Sequence, residues 1–180
     1  IAIISFSSSF SKQDVAKLLK TKQCINCDLS KADLSGSNLD KANMQGSDLL
    51  EVNLWGASLV GANISNTRLY GANLEESDLA NANISNSDLK IANLRGTNLE
   101  NTSFENSGLW GAHLGTANID KSNFVNASLS YAKLIEVDLK NSNLDGAILF
   151  NAKIQESILS KTQCKYAKTE QAILDHTKCK

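Results

Sequence analysis

Residues 32–71 read ADLSG SNLDK ANMQG SDLLE VNLWG ASLVG ANISN TRLYG, eight blocks of five with a large apolar residue at the centre of each. Carrying the register outward, every fifth residue from Leu29 to Leu159 gives 27 positions: twenty Leu, four Ile, two Phe and Met44. Two residues before each, from Cys27 to Ser157, stands a small or short residue: Ala, Ser, Thr, Val or Cys. The residue between the two is most often Asn or Asp, and no insertion breaks the register.

A period of five fits neither the 3.6 of an α-helix nor the 2.0 of an open strand. It fits a coil that turns a corner every five residues. The large residue and the small one two before it point inward, as strand alternation requires, and the other three face outward. An interior fed by one Leu and one Ala per side is narrow, dry and filled, with no room for a ligand. The number of sides follows from Met44, Ile64, Ile84, Phe104 and Phe124, which depart from Leu at intervals of twenty. Four sides per turn stack them in one column; Ile119 and Ile154 fall outside it. Twenty residues per coil gives about seven coils between Cys27 and Lys161, a rod roughly 33 Å long at the usual strand spacing of ~4.8 Å. Proline, which deletes a ladder donor, is absent from the chain.

The strings ADLSG, ANMQG, ANLEE, ANISN and ANLRG resemble the pentapeptide repeat family, whose pattern is A(D/N)LXX. The resemblance covers about Cys27 to Lys161. It implies an all-β fold, a right-handed quadrilateral β-helix, including a handedness that periodicity alone does not give. The family is abundant in cyanobacteria and plant plastids, and most members have no assigned activity.

Solenoids need caps at their open ends. Ser11 with Asp14 three later is a helix start, and Val15, Leu18 and Leu19 follow at helical spacing. A short capping helix over about 12–21 is expected, with that face on the first coil; the resemblance implies such a cap too. Residues 1–10 read as a leader or the remnant of a secretory signal, with Ser5-Phe6-Ser7 as a small-x-small site but no charged region before it. Past Leu159 the register weakens: Cys164, Leu174 and Cys179 keep the inward phase and Thr169 breaks it. The expected organisation is therefore a leader (1–10), a capping helix (11–23), the β-helix (24–162) and a degraded last coil (163–180), with a short helix near Glu170 to His176 as the alternative ending.

The four cysteines sit at the two ends, and three pairings are possible. Their inward phases favour Cys24–Cys27 and Cys164–Cys179, sealing the ends. A bridge closing a 15-residue loop is worth about 3 kcal/mol in the chain-entropy model. Such pairing implies export to an oxidising compartment, a periplasm or thylakoid lumen. Two rival readings use the same thiols. Cys24-x-x-Cys27 as a redox pair lacks the following helix N-terminus that usually stabilises the thiolate. A zinc site from Cys164, His176 and Cys179 lacks a fourth ligand.

Nothing else points to an enzyme. His113 stands outward and alone, no phosphate-cradling loop is present, and a filled prism offers no concavity on which groups converge. No cofactor and no metal are expected. Formal net charge is −1, and no 18-residue apolar run exists, so neither a nucleic-acid nor a membrane partner is indicated. One activity known in the family, DNA mimicry against a topoisomerase, requires a dense acidic face. From Asp28 to Thr162 there are 16 acidic and 10 basic residues, a net of −6, against ~19 charges on duplex DNA of that length. Mimicry and CxxC redox chemistry stand as alternatives to the favoured class, a non-catalytic scaffold for a protein partner or for self-association. The candidate contact surface is a stripe on the side of Leu29, Leu49 and Leu69, where successive coils offer Leu50, Tyr70, Ile91, Trp110, Tyr131 and Phe150. A contiguous apolar stripe calls for an explanation that scattered apolar residues do not. The column Gly46, Asn66, Asn86, Asn106, Asn126 and Gly146 is polar by comparison.

Overall fold

The computed structural model describes residues 10–180. The leader and its Ser5-Phe6-Ser7 lie outside the described residues, apart from Phe10, which packs partly buried against the core.

A block of five with Asn or Asp before its inward residue satisfies its own backbone. Around Leu49, the Leu49 N–H donates to the Arg68 carbonyl at 2.9 Å and the Glu51 N–H to Tyr70 at 2.9 Å, both one coil ahead. The Asp48 N–H donates back to Cys27 at 2.9 Å, and the Val52 N–H closes a four-residue turn onto Leu49 at 3.1 Å. The fifth donor, the Leu50 N–H, is taken by the Asp48 carboxylate at 3.1 Å. That last bond explains the Asn or Asp in the repeat. Its side-chain oxygen accepts the outward N–H two residues on, an Asx-type bond that leaves no backbone donor of the block unpaired. The amides also ladder from coil to coil, as in Asn73 to Asn53 at 3.1 Å. Parallel bridges recur at an interval of twenty, for example Asn53↔Asn73↔Asn93↔His113.

Corners require a left-handed residue two after the inward Leu. Gly36, Gly56, Gly71 and Gly111 occupy such corners at φ between +61° and +66°, and Asn66, Asn86 and Asn106 at +57° to +58°. Positive φ at the third turn position is the signature of a type II turn, and Gly and Asn are the residues that tolerate it best.

The core is one continuous column of fully buried Leu, Ile, Ala and Phe side chains. Phe104 and Phe124 stack with centroids 5.0 Å apart and planes 1° from parallel. Buried hydroxyls at the small position bond neighbouring backbone, as Thr102 does to Leu79 at 2.7 Å. Among the described residues no buried side-chain polar atom lacks a partner.

Helix α1 spans Lys12–Thr21, with Ser11 accepting from the Asp14 N–H and Lys22 closing it in the left-handed conformation. Leu18 is fully buried and Val15 packs against the core, but Leu19 is 48% exposed. The buried stripe is thus Val15 and Leu18, and Leu19 is turned away by its 100° step.

The other end departs from expectation. A helix, α2, occupies Lys161–Thr169, earlier than the alternative placed near Glu170 to His176. Coil geometry returns after it: Lys153 bridges Ile173, and strand β1 (Ile158–Leu159) pairs in parallel with β2 (Lys178–Cys179). The twenty-residue register therefore survives, because α2 replaces two sides of the coil without changing its length. Thr169, the break in the sequence register, is the last residue of α2. Gln163 binds the Leu139 and Ser142 carbonyls at 2.8 and 3.0 Å, and the Tyr166 hydroxyl donates to the Ala147 carbonyl, so side chains replace lost ladder bonds.

Candidate interaction face

Disulfides close both ends, Cys24–Cys27 beside α1 and Cys164–Cys179 between α2 and β2. Cys24 and Cys27 are buried, at 0% and 5% exposure, which withholds both sulfurs from an attacking thiolate. Asp14 lies close enough to them to complete a three-ligand metal cluster, but sulfurs joined to each other supply no thiolate ligand. Cys164 and Cys179 are likewise joined to each other, which leaves no thiolate for the zinc set read with His176. The Asp14 carboxylate instead accepts from the Asp28 N–H at 3.0 Å, fastening α1 to the first coil.

A cavity of about 380 Å³ opens beside α2, lined by Ser142, Asn143, Leu144, Asp145, Gly146, Ser160, Gln163 and Tyr166. Sequence reasoning missed it because it exists only where a helix replaces the coil. It brings one carboxylate and one phenol near hydroxyls and amides, with no histidine or thiol to activate a nucleophile. Burial, and secondarily Glu170, push the Tyr166 phenol above its ordinary value, so it serves as a donor.

On the side of the rod, Tyr70, Ile91, Trp110, Tyr131 and Phe150 are all exposed, while Leu50 is only half-exposed. Trp110 and Tyr131 meet with centroids 5.6 Å apart at 53°, and Tyr131 meets Phe150 at 5.7 Å and 78°. Two of these residues sit at left-handed corners: Ile91 at φ 52° and Tyr131 at φ 59°. A β-branched or bulky residue there is an outlier, and Gly71 and Gly111 hold the equivalent corners on intervening coils. The same conformation recurs at other corners, as at Lys31, Glu51 and Thr116, and at Tyr131 the contacts with Trp110 and Phe150 offset part of its cost. The reading of the stripe omitted Ile148, an exposed neighbour of Phe150, although its place in the Asn/Asp position of the repeat marked it. Trp55, on the adjoining side, is also exposed.

The adjacent face changes character along the rod. At the Asn/Asp position it carries Asn53, Asn73 and Asn93, and then His113, Lys133 and Lys153, bridged in succession. Burial, then Lys133 and Arg95, hold the His113 imidazole below its ordinary value.

The sequence matches the family model for pentapeptide repeats in eight copies, over residues 23–56, 57–96, 88–120 and 122–160. The chain belongs to the pentapeptide repeat family. Members of known structure form right-handed β-helices. HetL, a pentapeptide repeat protein involved in heterocyst differentiation regulation from the cyanobacterium Nostoc sp. strain PCC 7120, is similar at 25% identity and TM-score 0.62, over 84% of this chain and 71% of that one. Rfr23 from the cyanobacterium Cyanothece 51142 is 22% identical over 93% and 98% of the two chains, with TM-score 0.29. A pentapeptide repeat protein of the Arabidopsis thaliana thylakoid lumen is 26% identical over 81% and 74%, with TM-score 0.23. No curated protein sequence matches the chain.

Proposed function

We propose that this pentapeptide repeat protein is a non-catalytic scaffold that docks a protein partner on the stripe formed by Tyr70, Ile91, Trp110, Tyr131 and Phe150. The observation that carries this reading is the run of large apolar side chains, Tyr70, Ile91, Trp110, Tyr131 and Phe150, exposed on successive coils of one side. A rigid filled rod holds the aromatic side chains in place, so little side-chain entropy is lost on contact. HetL, which is involved in regulation rather than named for a reaction, is consistent with an interaction role. Mimicry of DNA is disfavoured because acidic groups stand in pairs with bases, as Asp48 with Arg68 at 2.5 Å and Glu75 with Arg95 at 3.0 Å.

Residence in an oxidising compartment is part of the proposal, since the two end disulfides persist there and not in a reducing cytosol. Alkylation and mass spectrometry on protein from its native compartment check it; four free thiols would overturn it. The docking face is checked by placing a photo-cross-linking residue at Ser130, within the stripe, and in a second variant at Asn86, in the polar column. Cross-links to a discrete partner from Ser130 and none from Asn86 support the face; equal yields from both positions contradict it.

A further inference from the structure

The C-terminal half of the stripe is rich in backbone donors without an acceptor as well as in apolar side chains. Elsewhere the Asn or Asp side chain of a block accepts the outward N–H two residues on. Where that position is Arg68, Ser103, Gly108, Ser128 or Ile148, or His113, Lys133 or Lys153, the acceptor is lost, which frees the Tyr70 and Glu105 N–H groups as well as those of the C-terminal half. Among the described residues, the N–H groups of Trp110, Ser130 and Phe150 on one corner, and of Gly115, Ile135 and Gln155 on the next, have no acceptor within the chain. Between those two rows of donors run His113, Lys133 and Lys153, bridged as consecutive rungs. Lys133 and Lys153, like Lys41, have no ion-pair partner among the described residues, whereas Lys31, Arg68, Lys90, Arg95, Lys121 and Lys140 do. This part of the surface thus presents donors and positive charge beside a ladder of three aromatic rings, on a protein of net charge −1.

We propose, resting on the docking role of the stripe, that its partner is an acidic amphipathic α-helix lying along the rod axis over Trp110, Tyr131 and Phe150. Successive coils lie ~4.8 Å apart along the rod, within about 0.6 Å of the 5.4 Å pitch of an α-helix, so one apolar residue per turn, at i, i+3 or i+4, and i+7, sits on each ring. An extended strand repeats the same face at about 6.7 Å and falls out of step by roughly 2 Å per rung. Acidic residues on the adjoining stripe of the helix then lie over His113, Lys133 and Lys153, and their carboxylates take the free N–H donors, as the absent Asp and Asn side chains do on other coils. Single-stranded nucleic acid also combines aromatic stacking with cations. Here the planes are inclined at 53° and 78°, which denies successive bases a set of parallel faces.

The test uses the full chain with Trp55→Phe, leaving Trp110 as its one tryptophan. Its emission is followed during titration with a synthetic 18-residue helical peptide carrying Leu on one stripe and Glu on the next, with the same peptide bearing Lys for Glu, and with an 18-mer of deoxythymidine. Binding of the Glu peptide at least tenfold tighter than the Lys peptide, with the preference reversed by Lys133→Glu with Lys153→Glu, supports the proposal. Equal binding, preference for the Lys peptide, or tighter binding of the oligonucleotide overturns it. Tyr131→Ser with Phe150→Ser separates the two readings. If only the Lys peptide binds and this variant abolishes it, the stripe remains a docking surface and the acidic assignment falls. If no probe perturbs Trp110 in any variant, both fall.

Discussion

At the scale of the residue, the repeat gives neighbouring positions opposite tolerances. Leu94 is fully buried, and Leu94→Asp places a charge in a dry interior at a cost of several kcal/mol. Arg95 next to it is exposed and paired with Glu75, so Arg95→Asp costs less than about 1 kcal/mol. Denaturant unfolding of the two variants checks this; equal midpoints would show the inward assignment to be wrong. Ile91 makes the opposite kind of prediction. Its φ of 52° is one that Asn adopts readily, so Ile91→Asn is expected to raise the unfolding free energy by about 0.5–1 kcal/mol. A variant less stable than the parent would mean that Ile91 is held by packing and not strained. The inward column, with Phe104 and Phe124, was legible because burial imposes one chemistry at one phase. The role of Asn and Asp was not, because an Asx bond leaves only a preference in composition, and its loss at Lys133 and Lys153 shows only against backbone hydrogen bonds.

At the scale of the element, the two ends show where a repeating pattern stops being informative. Helix α1 was readable from Ser11 and Asp14 because capping depends on local chemistry. Helix α2 was not: Cys164 and Ala167 lie in the inward and small phases of the repeat and are also buried in the helix, so one pattern serves both structures. What separates them is Gln163 and Tyr166 reaching back to the previous coil, a tertiary effect. The Cys164–Cys179 disulfide spans 15 residues and ties α2 to β2. Cys179→Ser is expected to destabilise the C-terminal segment by up to about 3 kcal/mol. Hydrogen exchange should then accelerate over residues 161–180 while the coil around Leu94 keeps its protection; uniform acceleration would mean that the rod and its cap unfold as one unit.

At the scale of the whole molecule, charge and exposed apolar surface are organised along the rod. His113 sits where the amide ladder gives way to lysines, and its folded-state value lies below 6.5. A base with a depressed value in the folded state binds fewer protons there than when unfolded. Its contribution to stability is therefore present above pH 6.5 and is lost as pH falls through the folded value. His113→Asn is expected to flatten the pH dependence of stability just below 6.5; an unchanged slope would assign it to other groups. The stripe was legible in the sequence as six positions, and the structure exposes five of them, half-burying Leu50, while adding Ile148. Its strain and its free donors were not legible, since neither φ nor hydrogen bonding has a signature in a single side chain. The central claim is that these side chains serve contact and not folding. Trp110→Ser with Tyr131→Ser, measured beside the parent for both thermal midpoint and retention of the partner cross-linked at Ser130, tests it most directly. The account expects an unchanged or slightly raised midpoint with the partner lost; a lowered midpoint, or a partner retained in full, would contradict it.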